Sequence, residues 1–110
     1  MSGALDRIAY NVAETWLLQR GFTPSADWDP ADPQCIQDYG PYRMYTIQAE
    51  VRADYVGTID KASLIADFED YLEKVNKALR MIQFQLYNVE VYSGLCNRGT
   101  SIYVSLVHTA

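Results

Sequence analysis

A chain of 110 residues, 49% hydrophobic and 21% charged, is one domain's worth and apolar enough to bury a single core, which excludes a disordered segment. Nine Lys and Arg against 14 Asp and Glu leave a net charge of −5. That balance argues against the basic face with which a nucleic-acid binder displaces counterions, and against adhesion to anionic lipid. No apolar run approaches the ~20 residues that span a bilayer. Met1 to Arg7 lacks the basic and apolar stretches of a secretory signal, so Cys35 and Cys96 are expected as free thiols of a reducing compartment.

Residues 4–20 carry Leu5, Ile8, Ala9, Val12, Trp16 and Leu17 at helical spacing, which predicts an amphipathic helix with Ser2 as N-cap and Gly21 as stop. Residues 21–42 hold all four prolines, and Asp27, Asp29, Asp32 and Asp38 have no basic residue between Arg20 and Arg43. The segment reads as a long acidic loop, with room for a short strand near Phe22-Thr23 or Cys35-Ile36. Its Asp27-Trp28-Asp29-Pro30-Ala31-Asp32 run puts Asp32 where a calcium loop turns on glycine. Docking onto a basic neighbour is the reading taken instead, and no metal is expected.

Residues 43–55 predict a strand. Tyr45, Ile47, Ala49, Val51, Ala53 and Tyr55 alternate with polar and charged residues, as in an antiparallel sheet with one solvated face. At ~3.3 Å per residue this reaches about 43 Å, longer than the roughly 34 Å diameter of a globule this size, so the strand is expected to bend, bulge or project. Residues 60–82 predict a second helix, N-capped by Asp60, with acids early and Lys74, Lys77 and Arg80 late, as the macrodipole favours. Residues 84–92 and 100–108 predict a hairpin with Tyr87, Val89 and Val91 on one face of its first strand.

These elements make one α+β domain over residues 1–110. It is a two-layer sandwich, with a small, mainly antiparallel sheet and two amphipathic helices on one face, and with one parallel or split pairing across the second helix. The lone His108 offers no Ser/His/Asp set, Cys96 and His108 read as a turn thiol and a strand-end imidazole, and no glycine loop is followed by the Lys-Ser/Thr of a phosphate site. No enzyme activity and no cofactor are expected. Nine tyrosines are more than a core of this size takes, and Tyr suits both strands and half-wet interfaces.

The layout of helix Leu5–Arg20, irregular acidic stretch, long alternating strand Tyr45–Tyr55, helix opening at Asp60 and closing hairpin Tyr87–Tyr92 with Ile102–Val107 resembles the tail-terminator (neck-type minor tail) proteins of long-tailed bacteriophages. That resemblance implies a structural subunit of the virion neck, assembled in the bacterial host cytoplasm. It would form a homo-oligomeric ring, six-fold in that family, that caps the tail tube and meets the head-side connector. A ring of heterologous contacts needs two different patches on each subunit. The residues put forward for subunit and partner contacts are Asp27, Trp28, Asp29 and Asp32 in the acidic loop, Tyr39 and Tyr42, and Glu50, Arg52 and Asp54 on the polar side of the long strand. The alternatives are a small dimeric ligand-binding or regulatory module and an inhibitor that binds another protein.

Overall fold

The computed structural model describes residues 2–51, 59–80, 82–92 and 100–109. Helix α1 spans Ser2–Gln19, strands β1, β2 and β3 span Phe22–Pro24, Ile36–Tyr39 and Tyr42–Val51, helix α2 spans Lys61–Leu79, and strands β4 and β5 span Phe84–Tyr92 and Ser101–Thr109. Ser2 is the first residue of α1 rather than its N-cap, so that helix starts earlier than the apolar spacing implies. Gly21, at φ 86°, takes the left-handed backbone that stops it. At the start of α2, Asp60 has extended backbone angles and its carboxylate accepts the Ser63 N–H, the cap expected there.

All strand pairings are antiparallel, in the order β1-β3-β5-β4, with β2 also on β3. β1 pairs with Ala49–Val51 and β2 with Tyr42–Tyr45, so the two short strands lie end to end along one edge of β3. β5 fills the space between β3 and β4, which makes the crossover through α2 the split kind. The ten described residues of β3 cover about 33 Å. The strand predicted for residues 52–55 lies outside the described residues, as does the turn between β4 and β5.

One face of the sheet turns Tyr45, Ile47, Ala49, Ile102, Val104 and Leu106 inward, all fully buried, and both helices cover it. Trp16 of α1 packs edge-on to Phe68 of α2 at 4.5 Å between ring centroids. The Tyr71 hydroxyl donates to the Val12 carbonyl, tying the helices side by side. On β4 the sequence pattern misleads. Leu86 pairs with Leu106 and Asn88 with Ser105, so Tyr87 is the extra residue of a bulge. The bulge resets the alternation: Phe84 and Leu86 turn to the core before it, Val89 and Val91 after it, and Tyr87 points out, 67% exposed. The prediction that Tyr87 shares a face with Val89 and Val91 is corrected accordingly.

Tyr39 and Tyr42 pair across a two-residue hairpin whose first central residue, Gly40, has φ 76°. That is the glycine position of a type II′ turn. A Cβ at Gly40 would meet nothing within 4 Å. Gly40→Ala should therefore lose about 1–2 kcal/mol by backbone strain alone, read as a lower urea midpoint with an unchanged slope.

Candidate functional site

The acidic loop is built as an edge piece for β3. On the edge of β3 away from β5, β1 and β2 leave Thr46–Gln48 without a strand, and the loop supplies partners there. The Thr46 N–H donates to the Cys35 carbonyl at 2.8 Å, and the Ser25 N–H donates to the Gln48 carbonyl at 2.8 Å. The Trp28 indole N–H donates to the Thr46 carbonyl at 3.1 Å, while its ring sits 4.7 Å from that of Tyr10 on α1. The loop acids shape its turns: Asp29 accepts the Ala31 N–H and Asp32 the Gln34 N–H, as in Asx turns. Ser25, Asp27, Trp28, Asp32, Cys35 and Tyr103 wall a shallow depression of ≈ 180 Å³ that opens beside Thr46 and Gln48.

Next to it lies the face of the sheet that the helices leave uncovered. Four of the five exposed large hydrophobic residues among those described are on this face: Tyr39 (57%), Tyr42 (52%), Tyr87 and Tyr92 (58%), the fifth being Leu18 on α1. Tyr39, Tyr42, Met44, Tyr87 and Val107 line an apolar groove of ≈ 490 Å³. Thr46 and Ser105 share a hydroxyl–hydroxyl bond at 3.1 Å in the middle of the face. Toward the other end stand Glu50, opposite Ser101, and Glu90, which accepts from Lys61 and Asn88. Exposed aromatic surface of this kind marks interaction sites more often than solvated sheet.

The structure thus brings together some of the sequence-predicted residues and separates others. Tyr39 and Tyr42 are cross-strand neighbours on the groove, Asp27, Trp28 and Asp32 surround the depression, Asp29 stays at the exposed turn, and Glu50 lies farther along β3. Arg52 and Asp54 lie outside the described residues, as does Cys96 of the considered Cys/His pair. Sequence reasoning did not find Met44, Tyr87 and Val107 for the groove. Met44 and Val107 carried a signal, since they fall on the polar side of otherwise regular alternations; Tyr87 carried none, because the bulge that exposes it is invisible to periodicity.

The remaining polar chemistry is internal. Asp6 of α1, 4% exposed, is held bidentately by Arg43 of β3 at 2.9 and 3.0 Å. The Tyr45 hydroxyl lies 2.8 Å from His108 Nε2 under the same helix end, so the strand-end imidazole is buried rather than exposed. Burial pushes the Tyr45 hydroxyl far above the ordinary phenol range, with the Asp6 charge adding to it, so this group stays neutral. Between the helices, Asp67 accepts from the Arg20 guanidinium and from the Trp16 indole N–H at 2.9 Å.

Those bonds, first the one from Arg20, hold the Asp67 carboxyl below its usual range. A depressed pKa in the folded state gives stability that is present above the unfolded value of about 3.9 and lost as pH falls through the folded one. The side chain is 40% exposed, so solvent screens much of it. Thermal melts from about pH 5 down to about pH 2.5 should therefore fall less steeply for Asp67→Asn than for the unaltered chain.

Among the described residues no three His, Cys, Asp or Glu side chains gather as a metal site, and no helix is long and apolar enough to cross a membrane. Comparison with known proteins brings no match: no family model, no curated protein and no solved structure matches the chain.

Proposed function

We propose that this chain is a non-catalytic structural subunit of a phage virion, a tail-terminator-like protein that assembles into a ring on the tail tube and meets the head-side connector. The observation that carries the reading is the uncovered sheet face, where four exposed tyrosines stand on a rigid antiparallel scaffold. Such a surface is suited to broad protein contact, since tyrosine brings large area with little conformational entropy. The acidic loop beside it, fixed through Trp28 and Thr46, adds a field that steers a basic partner. The order of helix, acidic stretch, long strand, helix and closing strands, on which the family resemblance rests, also supports the reading. On this reading the protein belongs to the virion neck and is assembled in the cytoplasm of the bacterial host.

The test is size-exclusion chromatography with light scattering over a wide concentration range, alone and with a tail-tube protein, followed by negative-stain imaging of the largest species. Closed rings of about six subunits are the expected result. A monomer that stays monomeric with tube protein present refutes the reading. A concentration-independent dimer whose melting temperature rises with a small ligand would favour the regulatory module, by mass action.

A further inference from the structure

Groove and depression form one track along β3. Tyr42 and Met44 lie in the groove, Thr46 and Gln48 border the depression walled by Asp27 and Asp32, and Glu50 follows two residues on. From Tyr42 to Glu50 the track is about 27 Å long, the reach of an extended segment of some eight residues. Its first third is apolar and aromatic. Among the described residues, the charged side chains bordering the rest of β3's track are the carboxylates of Asp27, Asp32 and Glu50, and no Lys or Arg lines either the groove or the depression.

From this we infer that the track binds an extended segment of another protein that is apolar at one end and rich in Arg or Lys at the other. Charge decides between the occupants. A second copy is a poor match: the chain carries −5 overall, and its Arg43 is already committed to the buried Asp6. A foreign cationic segment instead finds carboxylates at Asp27, Asp32 and Glu50, and tyrosine faces over which guanidinium groups stack. Extension of the sheet at its β4 edge is the competing mode of peptide capture, and it is closed at one end. Asn76 donates to the Phe84 carbonyl at 2.8 Å and accepts the Phe84 N–H at 2.9 Å, as a neighbouring strand would. The inference rests on the assembly reading above only for the partner being a protein.

The experiment uses the full chain and a fluorescein-labelled octapeptide with two leucines followed by three arginines spaced by glycine, with a scrambled peptide of the same composition as control. Fluorescence anisotropy gives the dissociation constant at several salt concentrations. The ordered peptide is expected to bind more tightly than the scrambled one, with affinity falling as salt rises. Tyr42→Ser, in the groove, and Asp27→Asn with Asp32→Asn, at the depression, should each weaken binding by about tenfold, the ratio that corresponds to 1.4 kcal/mol. Glu69→Gln with Glu73→Gln on the outer face of α2 should leave it unchanged. No saturable binding, equal binding of the two peptides, or an equal loss from the α2 variant would each overturn the inference, the last by showing net charge alone at work. The α2 variant alters exposed positions; because the Asp32 carboxylate also accepts the Gln34 N–H, melting curves check the fold of the loop variant as well as that of Tyr42→Ser. Rings without peptide binding would remove this contact and leave the ring; peptide binding without rings would do the reverse.

Discussion

Arg43→Met is expected to cost about 3–5 kcal/mol, the range for stripping the partner from a buried charge. Asp6 sits at the inner side of α1 with a side chain 6% exposed, and both of its oxygens are taken by the guanidinium. Methionine fills much of the arginine stem's volume but offers no donor, so the carboxylate is left without its charge partner in the protein interior. The bond from Arg43 to Asp38, at 3.3 Å and 65% exposed on the Asp38 side, adds little. The reverse change, Asp6→Leu, should cost less, because the arginine keeps Asp38 and some contact with water. The double variant should recover most of the loss, since apolar replacement of both partners of a buried pair is often neutral or better. Urea unfolding of the four proteins closes the cycle, and a coupling energy near zero would show that the bidentate pair does not hold α1 to the sheet.

That pair also shows where reading the sequence stops. Asp6 and Arg43 are 37 positions apart, and Arg20 and Asp67 are 47 apart. Neither couple leaves a periodic trace, because one ion pair needs only one residue on each element. What is repeated is legible. The stripe of α2 with its Asp60 cap, the alternation of Tyr45, Ile47 and Ala49, and the turn-bounded runs of β4 and β5 all follow from local spacing. Short β1 and β2 are legible only as candidates, since three or four residues in a proline-rich stretch do not establish a period. The position of β5 between β3 and β4 is a non-local choice that no window of sequence contains. Of the candidate site, Tyr39, Tyr42 and the acidic loop could be named from composition and position. The groove they help to form could not, because it depends on a one-residue bulge that turns Tyr87 outward.

Trp16→Ala is the other large effect, expected at about 3–5 kcal/mol, as for aromatic truncations in cores. The indole is fully buried where α1, α2 and β1 meet: its ring lies 4.5 Å from Phe68 and 6.5 Å from Phe22, centroid to centroid. Arg20 lies over the indole ring at 5.6 Å while bonding Asp67, so ring, guanidinium and carboxylate form one unit across the two helices. Removing the ring opens a cavity and takes the stacking surface from the arginine, leaving the Arg20–Asp67 pair and the Tyr71–Val12 bond to link α1 with α2. Against a total stability of about 5–15 kcal/mol for a domain of this kind, the loss is a large share, with a melting temperature lower by roughly 15 °C. Trp16→Phe separates packing from bonding. It retains much of the aromatic volume and loses only the N–H to Asp67, whose carboxylate still has Arg20 and water, so the cost should be about 1–2 kcal/mol. If phenylalanine proves as damaging as alanine, the indole N–H and not the ring is what joins the helices. If it proves nearly neutral, the junction is held by packing, and Asp67 serves chiefly to orient Arg20 over the ring.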